Sequence, residues 1–283
     1  MNWLKKSSHK DTKAQRTKRK NQILGIVEKR DKKGVLHWTL AGIVFLFLLW
    51  ELASRVYGSS LILPGPLPVL NSFLHLVSTR RFFTALSSSL VRVVGGIAVA
   101  VPLGIAAGIA AGSDRRFNAF LKPLFLVISA TPVLSVILIA FIILGSGRTP
   151  VFSAFLMVFP VMAANVIEGI NSTDPRLKEL FTVFRMSRKE TLKYLYIPSL
   201  FPFILGALRS SLSLCWKVVV AAEVIVQPFR SLGTGMQQAK ANLETPELFA
   251  WTAATIFAAA STQGILSFVI KKTGKKPGLL RKK

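Results

Sequence analysis

Four ionisable side chains stand inside long apolar stretches. Arg92 lies in SLVRVVGGIAVAVPLGIAAG (89–108), and Arg209, Lys217 and Glu223 lie in LRSSLSLCWKVVVAAEVI (208–225). Charges so placed can pair across helices, line a wet route for a solute, or work as acids and bases on a substrate. Catalysis needs a convergent set, such as two carboxylates, a histidine cluster or a Ser-His pair, and the sequence offers none. His9, His37 and His75 are scattered at no metal-ligand spacing, and Cys215 is the one cysteine. No metal, cofactor or internal disulfide is expected. With no G-x4-G-K-[ST] run to bind nucleotide, the chain is not expected to be an enzyme or to hydrolyse ATP itself.

A Lys or Arg at the bilayer centre costs about 2.5–3.5 kcal/mol, while each Leu or Ile returns only about 0.3–0.6. The segment holding Arg209 and Lys217 must therefore turn toward protein or a water-filled cavity. Arg209 and Glu223 fall about 40° apart around an ideal helix, yet too far along its axis to pair directly. Either they line a pathway or each pairs with another helix. Glu223, near one end of its segment, is placed to be partly solvated.

The elements that hold these residues are membrane spans. Of 283 residues, 51% are hydrophobic and only 17% charged, against roughly 25% charged in a soluble domain. Mean hydropathy is +0.49. The expected fold is all-α and polytopic, with about six transmembrane helices over 36–57, 84–112, 118–143, 149–170, 200–226 and 247–270. Gly104, Gly108 and Gly112 recur every four residues, a spacing that lets helices pack closely in lipid. Pro102 and Pro132 fall within spans, where a kink or break is expected.

The net charge of +25 is concentrated at the ends. The first 37 residues carry twelve Lys/Arg and the last thirteen carry seven. Without interleaved aromatics these tails do not suit single-stranded nucleic acid; they suit anionic lipid and the positive-inside bias. Placing both termini in the cytoplasm puts 27 Lys/Arg inside, against five in the outer loops (Arg80, Arg81, Arg148, Arg230 and Lys240). The expected organisation is a basic cytoplasmic tail (1–35), a first span with an outer segment (36–83), a core (84–270) and a second basic tail (271–283).

Residues 171–199 break the apolar pattern with six Lys/Arg on the cytoplasmic side. Asp174 can cap a helix beginning at Pro175. Leu177, Leu180, Phe181 and Phe184 then form an apolar stripe on it. Ser187 and Glu190 have capping-box spacing and start a second helix, which Pro198 is placed to end. An apolar stripe within charge, anchored at both ends to spans, suits docking in the groove of a partner.

This loop resembles the EAA loop of inner-membrane permeases of binding-protein-dependent ABC importers. That motif runs Glu-Ala-Ala, three residues, Gly, nine residues, then Ile-x-Leu-Pro. Here Glu179-Leu180-Phe181, Arg185 and Leu195-Tyr196-Ile197-Pro198 keep its spacing. The alanines and the glycine are replaced, and Arg185 stands where the family bends. LPGPLPVL (63–70), FLMVFPVMAANVIEGI (155–170) and the two segments quoted first are similar to the nitrate/sulfonate/taurine group.

The resemblance implies a permease subunit importing a small nutrient such as nitrate, a sulfonate or taurine. It implies a cytoplasmic ABC ATPase dimer docked on 171–199 through Leu177, Glu179, Leu180, Phe181, Phe184, Arg185 and Pro198. It also implies a second permease subunit, with a homodimer suited to one chain of six spans, and an extracytoplasmic solute-binding protein. Gly233–Gly235 resembles a glycine-containing outer loop of the family. Arg92, Arg209, Lys217 and Glu223 are candidates for the pathway. The alternative is a structural or regulatory membrane protein that tethers a cytoplasmic partner through the 177–184 stripe.

Overall fold

A computed structural model describes residues 37–274, so the basic segment before residue 37 and the tail beyond 274 lie outside the described residues. Two compact units emerge, one up to Pro66 and one from Leu67. In the first, α1 (His37–Tyr57) is long and apolar enough to cross a membrane. The chain after it folds back on its end: Trp50 Nε1 donates to Pro64 O at 3.0 Å and Ser54 Oγ to Leu63 O at 2.9 Å.

The second unit is entirely helical among its described residues. It holds α2 (Pro66–Val77), α3 (Arg80–Ser113), α4 (Arg115–Ala130), α5 (Val133–Asn171), α6 (Pro175–Val183), α7 (Arg188–Thr191), a π-turn (Leu192–Tyr196), α8 (Ile197–Val226), α9 (Leu232–Ala241) and α10 (Thr245–Gly274). Counting α1, five helices among the described residues can span a membrane by length and composition.

The expected third span, 118–143, is made in two pieces. Its first piece, α4, ends at Ala130 because Pro132 cannot continue a helix; Thr131 and Pro132 are extended (ψ 127 and 132). The second piece joins the next span almost without a loop. At Gly145, φ is 70° and ψ 174°, and two helices meet there within α5. Ile139, Ala140 and Ile143 before the break, and Phe152 and Leu156 after it, line one apolar cavity of about 370 Å³ together with α4. The chain thus doubles back at a residue that only glycine adopts easily. The segment before α3, expected as an outer loop, contains α2, with Val69 and Leu76 buried.

The centre of the unit is the α3–α5 contact. A Cβ added at Gly96, Gly104, Gly108 or Gly112 would lie 2.9, 2.6, 2.6 and 2.7 Å from Ala154, Met162, Val166 and Ile170. Each partner follows its glycine by 58 positions, so the two helices run parallel in a fixed register. The expected packing face at Gly104, Gly108 and Gly112 meets α5 of the same chain. Helix α8 completes this core with Cys215, Trp216 and Val219, and Trp216 Nε1 donates to Thr262 Oγ1 of α10 at 2.9 Å. One end of the bundle carries α6 and α7; the opposite end carries α9.

Candidate functional site

At the α9 end, Glu223 is fully buried, which corrects the expectation of a partly solvated carboxylate. It lies on the same stripe of α8 as Leu212, Trp216 and Val219, and α3 and α9 close over it. Its carboxylate accepts from Ser89 Oγ (2.8 Å to both oxygens), Arg92 Nη1 (2.9 Å) and Gly233 N (3.2 Å). Ser89 Oγ in turn accepts from Leu232 N at 3.0 Å, and Arg92 Nη2 donates to Phe229 O at 3.3 Å. The side chain of Arg92 is only 14% exposed. Arg92 and Glu223 therefore pair across helices, as one of the two readings of the sequence allowed. A charge pair this deep is stable only when its remaining hydrogen-bonding capacity is filled, and Ser89, the Gly233 amide and the Phe229 carbonyl serve it.

The Gly233–Gly235 segment owes its glycines to this packing. A Cβ at Gly233 would sit 2.5 Å from Glu223 Cβ, and one at Gly235 2.5 Å from the Trp251 ring. Ser231 caps α9, donating or accepting at Thr234. The far end of α9 is held by Arg81, which donates to Gln238, lies 5.6 Å from the Trp251 ring and 3.9 Å from Glu247. Ser89 and the amides of 232–233 were not singled out from sequence. A serine one helical turn before Arg92 was the available signal.

Arg209 and Lys217 behave differently. Both are exposed, and neither has an ion pair or side-chain hydrogen bond among the described residues. They stand on a small, polar side of α8 with exposed Gly206, Ser210 and Ala221. The shared face with Glu223 is thus divided by depth: α3 and α9 cover the upper part, and none of the described residues of this unit covers α8 at Arg209.

At the other end, Asp174 accepts from Arg176 N at 2.9 Å and Pro175 opens α6. Leu177, Leu180 and Phe184 are 43, 48 and 70% exposed, and Glu179 is exposed beside them. Phe181 turns inward, sharing a cavity of about 320 Å³ with Met186, Leu195 and Tyr196. Arg185 has φ 49°, the left-handed conformation that favours glycine. Arg185 N donates to Thr182 O and Met186 N to Phe181 O, both at 3.0 Å; these two bonds make a Schellman turn, which normally carries glycine at this position. The arginine keeps the turn at a local cost. Ser187 and Glu190 cap each other reciprocally at 2.8 and 3.3 Å.

Pro198 does not end the second helix, contrary to its expected role. The helix continues from Lys189 to Val226. The π-turn before Pro198, in which Ile197 N bonds Leu192 O, widens the backbone where the ring would otherwise clash.

Comparison with known proteins decides the family. Residues 100–271 match the binding-protein-dependent transport system inner membrane component family. The chain belongs to that family. It is 28% identical over 222 residues to the bicarbonate transport system permease protein CmpB of Synechococcus elongatus, covering 74% of this chain and 79% of that protein. It is 30% identical over 213 residues to the taurine transport system permease protein TauC of Escherichia coli, covering 73% and 77%. Two solved structures of a bacterial alginate ABC importer share the fold at TM-scores of 0.59 and 0.57. Each is 14% identical and covers 85% of this chain, with 96% and 94% of their own chains matched; the second holds an alginate pentasaccharide-bound periplasmic protein. This family member is a multi-pass membrane permease of the importer type, a transport subunit.

Proposed function

We propose that this permease forms half of a pathway importing a small solute that bears an anionic group, of the nitrate, sulfonate, taurine or bicarbonate kind, driven by separate ATPase subunits docked on 171–199. The observation that carries the reading is α6. Its apolar stripe is exposed, yet its base is fixed to the bundle: Lys178 Nζ donates to Ile170 O at 3.1 Å, and Leu195 beyond the Schellman turn is buried. Burying three such side chains in a partner's groove is worth about 1.5–3 kcal/mol each. Force applied there passes along the chain, into α5 through the Asp174 cap and into α8 through the Schellman turn.

In this reading α6, both termini and their basic tails face the cytoplasm, and α9 faces the solute-binding protein. Arg209 and Lys217 line the route that two copies of the chain enclose, and their charge selects anions. Uptake into proteoliposomes holding the assembled transporter, with nitrate, taurine and bicarbonate each supplied with its binding protein, tests the pathway. Arg209→Gln and Lys217→Gln are expected to cut uptake without loss of assembly. Equal uptake by both variants removes these residues from the route.

A further inference from the structure

The buried group around Glu223 joins three elements, and every contact it makes beyond α8 goes to α3 or to the segment leading into α9. Residues 229–233 are held by Arg92 Nη2 at Phe229 O, by Ser89 Oγ at Leu232 N and by Glu223 at Gly233 N. Thr234 Oγ1 also donates back to Pro228 O at 2.8 Å. This segment stores strain. Gln227 and Arg230 have φ 46° and 54°, conformations that L-residues rarely adopt, and between them Phe229 is 79% exposed. Such backbone persists only where its surroundings hold it in place. Here the holding groups are a carboxylate and a guanidinium with no other ionic partner among the described residues.

Resting on the importer reading above, we propose that Glu223 and Arg92 are positioning residues: they latch α9 onto the α3–α8 pair, and the latch keeps ATP hydrolysis waiting for the solute-binding protein. While the latch is closed, α9 lies flat on Glu223 and Trp251 and the end of the bundle is fixed. A binding protein that engages α9 acts on the latch, and through α8 on the loop end some thirty residues away along the same helix. The carboxylate is sealed from solvent, so its service is to the movement of α9 and not to the recognition of cargo.

The test uses full-length permease in nanodiscs, with Cys215→Ala removing the one native thiol and Leu232→Cys reporting on α9. Leu232 is fully buried, so a hydrophilic maleimide reacts slowly with the latched form. Glu223→Gln keeps the size and the acceptor for Gly233 N but drops the charge facing Arg92. It is expected to speed labelling about tenfold or more, the shift given by losing one charge-assisted hydrogen bond. Gly233→Ala, which leaves both charges in place but has no room for its Cβ, is expected to do the same. In the assembled transporter both variants should raise ATP hydrolysis without binding protein, bringing the stimulated-to-basal ratio toward one. Wild-type labelling rates in both folded variants overturn the latch. Fast labelling with an unchanged ratio overturns its control of hydrolysis. The labelling arm needs no ATPase, so a failed importer reading and a failed latch give different results.

Discussion

At the scale of single residues, charge and backbone conformation separate positions that look alike in the sequence. Arg92 and Lys217 are both cations in apolar stretches, but one is sealed against Glu223 and the other is open. Arg92→Ala strands a buried carboxylate and is expected to cost about 3–5 kcal/mol. Lys217→Ala removes no ion pair or side-chain hydrogen bond among the described residues and should leave stability nearly unchanged. Thermal unfolding of the purified variants in detergent checks this, and equal midpoints would contradict the burial of the pair. Arg185 offers the converse experiment. Its left-handed backbone costs about 1–2 kcal/mol relative to glycine, so Arg185→Gly should stabilise the turn and slow amide exchange at Arg185 and Met186. Faster exchange would mean that the arginine makes a compensating contact.

At the scale of elements, the unit is organised by one parallel helix pair. The spacing of Gly104, Gly108 and Gly112 was legible as a close-packing face, while its partner was not, because a repeat of small residues does not say which helix meets it. The 58-residue register supplies that answer. Gly108→Ala must push Val166 aside and is expected to cost about 1–3 kcal/mol by overpacking. Gly206, with nothing within 4 Å of its Cβ position, should accept alanine at no cost. A thermal midpoint lowered at 108 and unchanged at 206 is the expected pair of results.

The same scale shows where sequence reading fell short. Thr131–Pro132 was seen inside a span, but hydropathy alone cannot tell a kink from a break followed by a fold-back at Gly145. Pro198 reads as a stop because a proline ordinarily ends a helix, and the π-turn that accommodates it leaves no mark in composition. The capped α6, with its Asp174, Pro175 and apolar stripe, was legible because capping and periodicity are local. Glu223's partners were not, since Ser89 and Gly233 come from elements 134 and ten residues away.

At the scale of the whole molecule, the permease has two specialised ends joined by α8. One end presents an apolar stripe on a short helix tied to the end of α5 through Lys178. The other holds α9 through a buried ion pair. Between them Arg209 and Lys217 stand on a side of α8 that the described residues of this unit leave open. The central claim is that the stripe is gripped by a separate ATPase. Co-purification of a co-expressed ABC ATPase with tagged permease measures it most directly, comparing wild type with Leu180→Asp combined with Phe184→Asp. These side chains are exposed, so the double variant should fold and insert normally. The account predicts that wild type retains the ATPase and the double variant loses it. Retention of the ATPase at wild-type levels by the double variant would contradict the account.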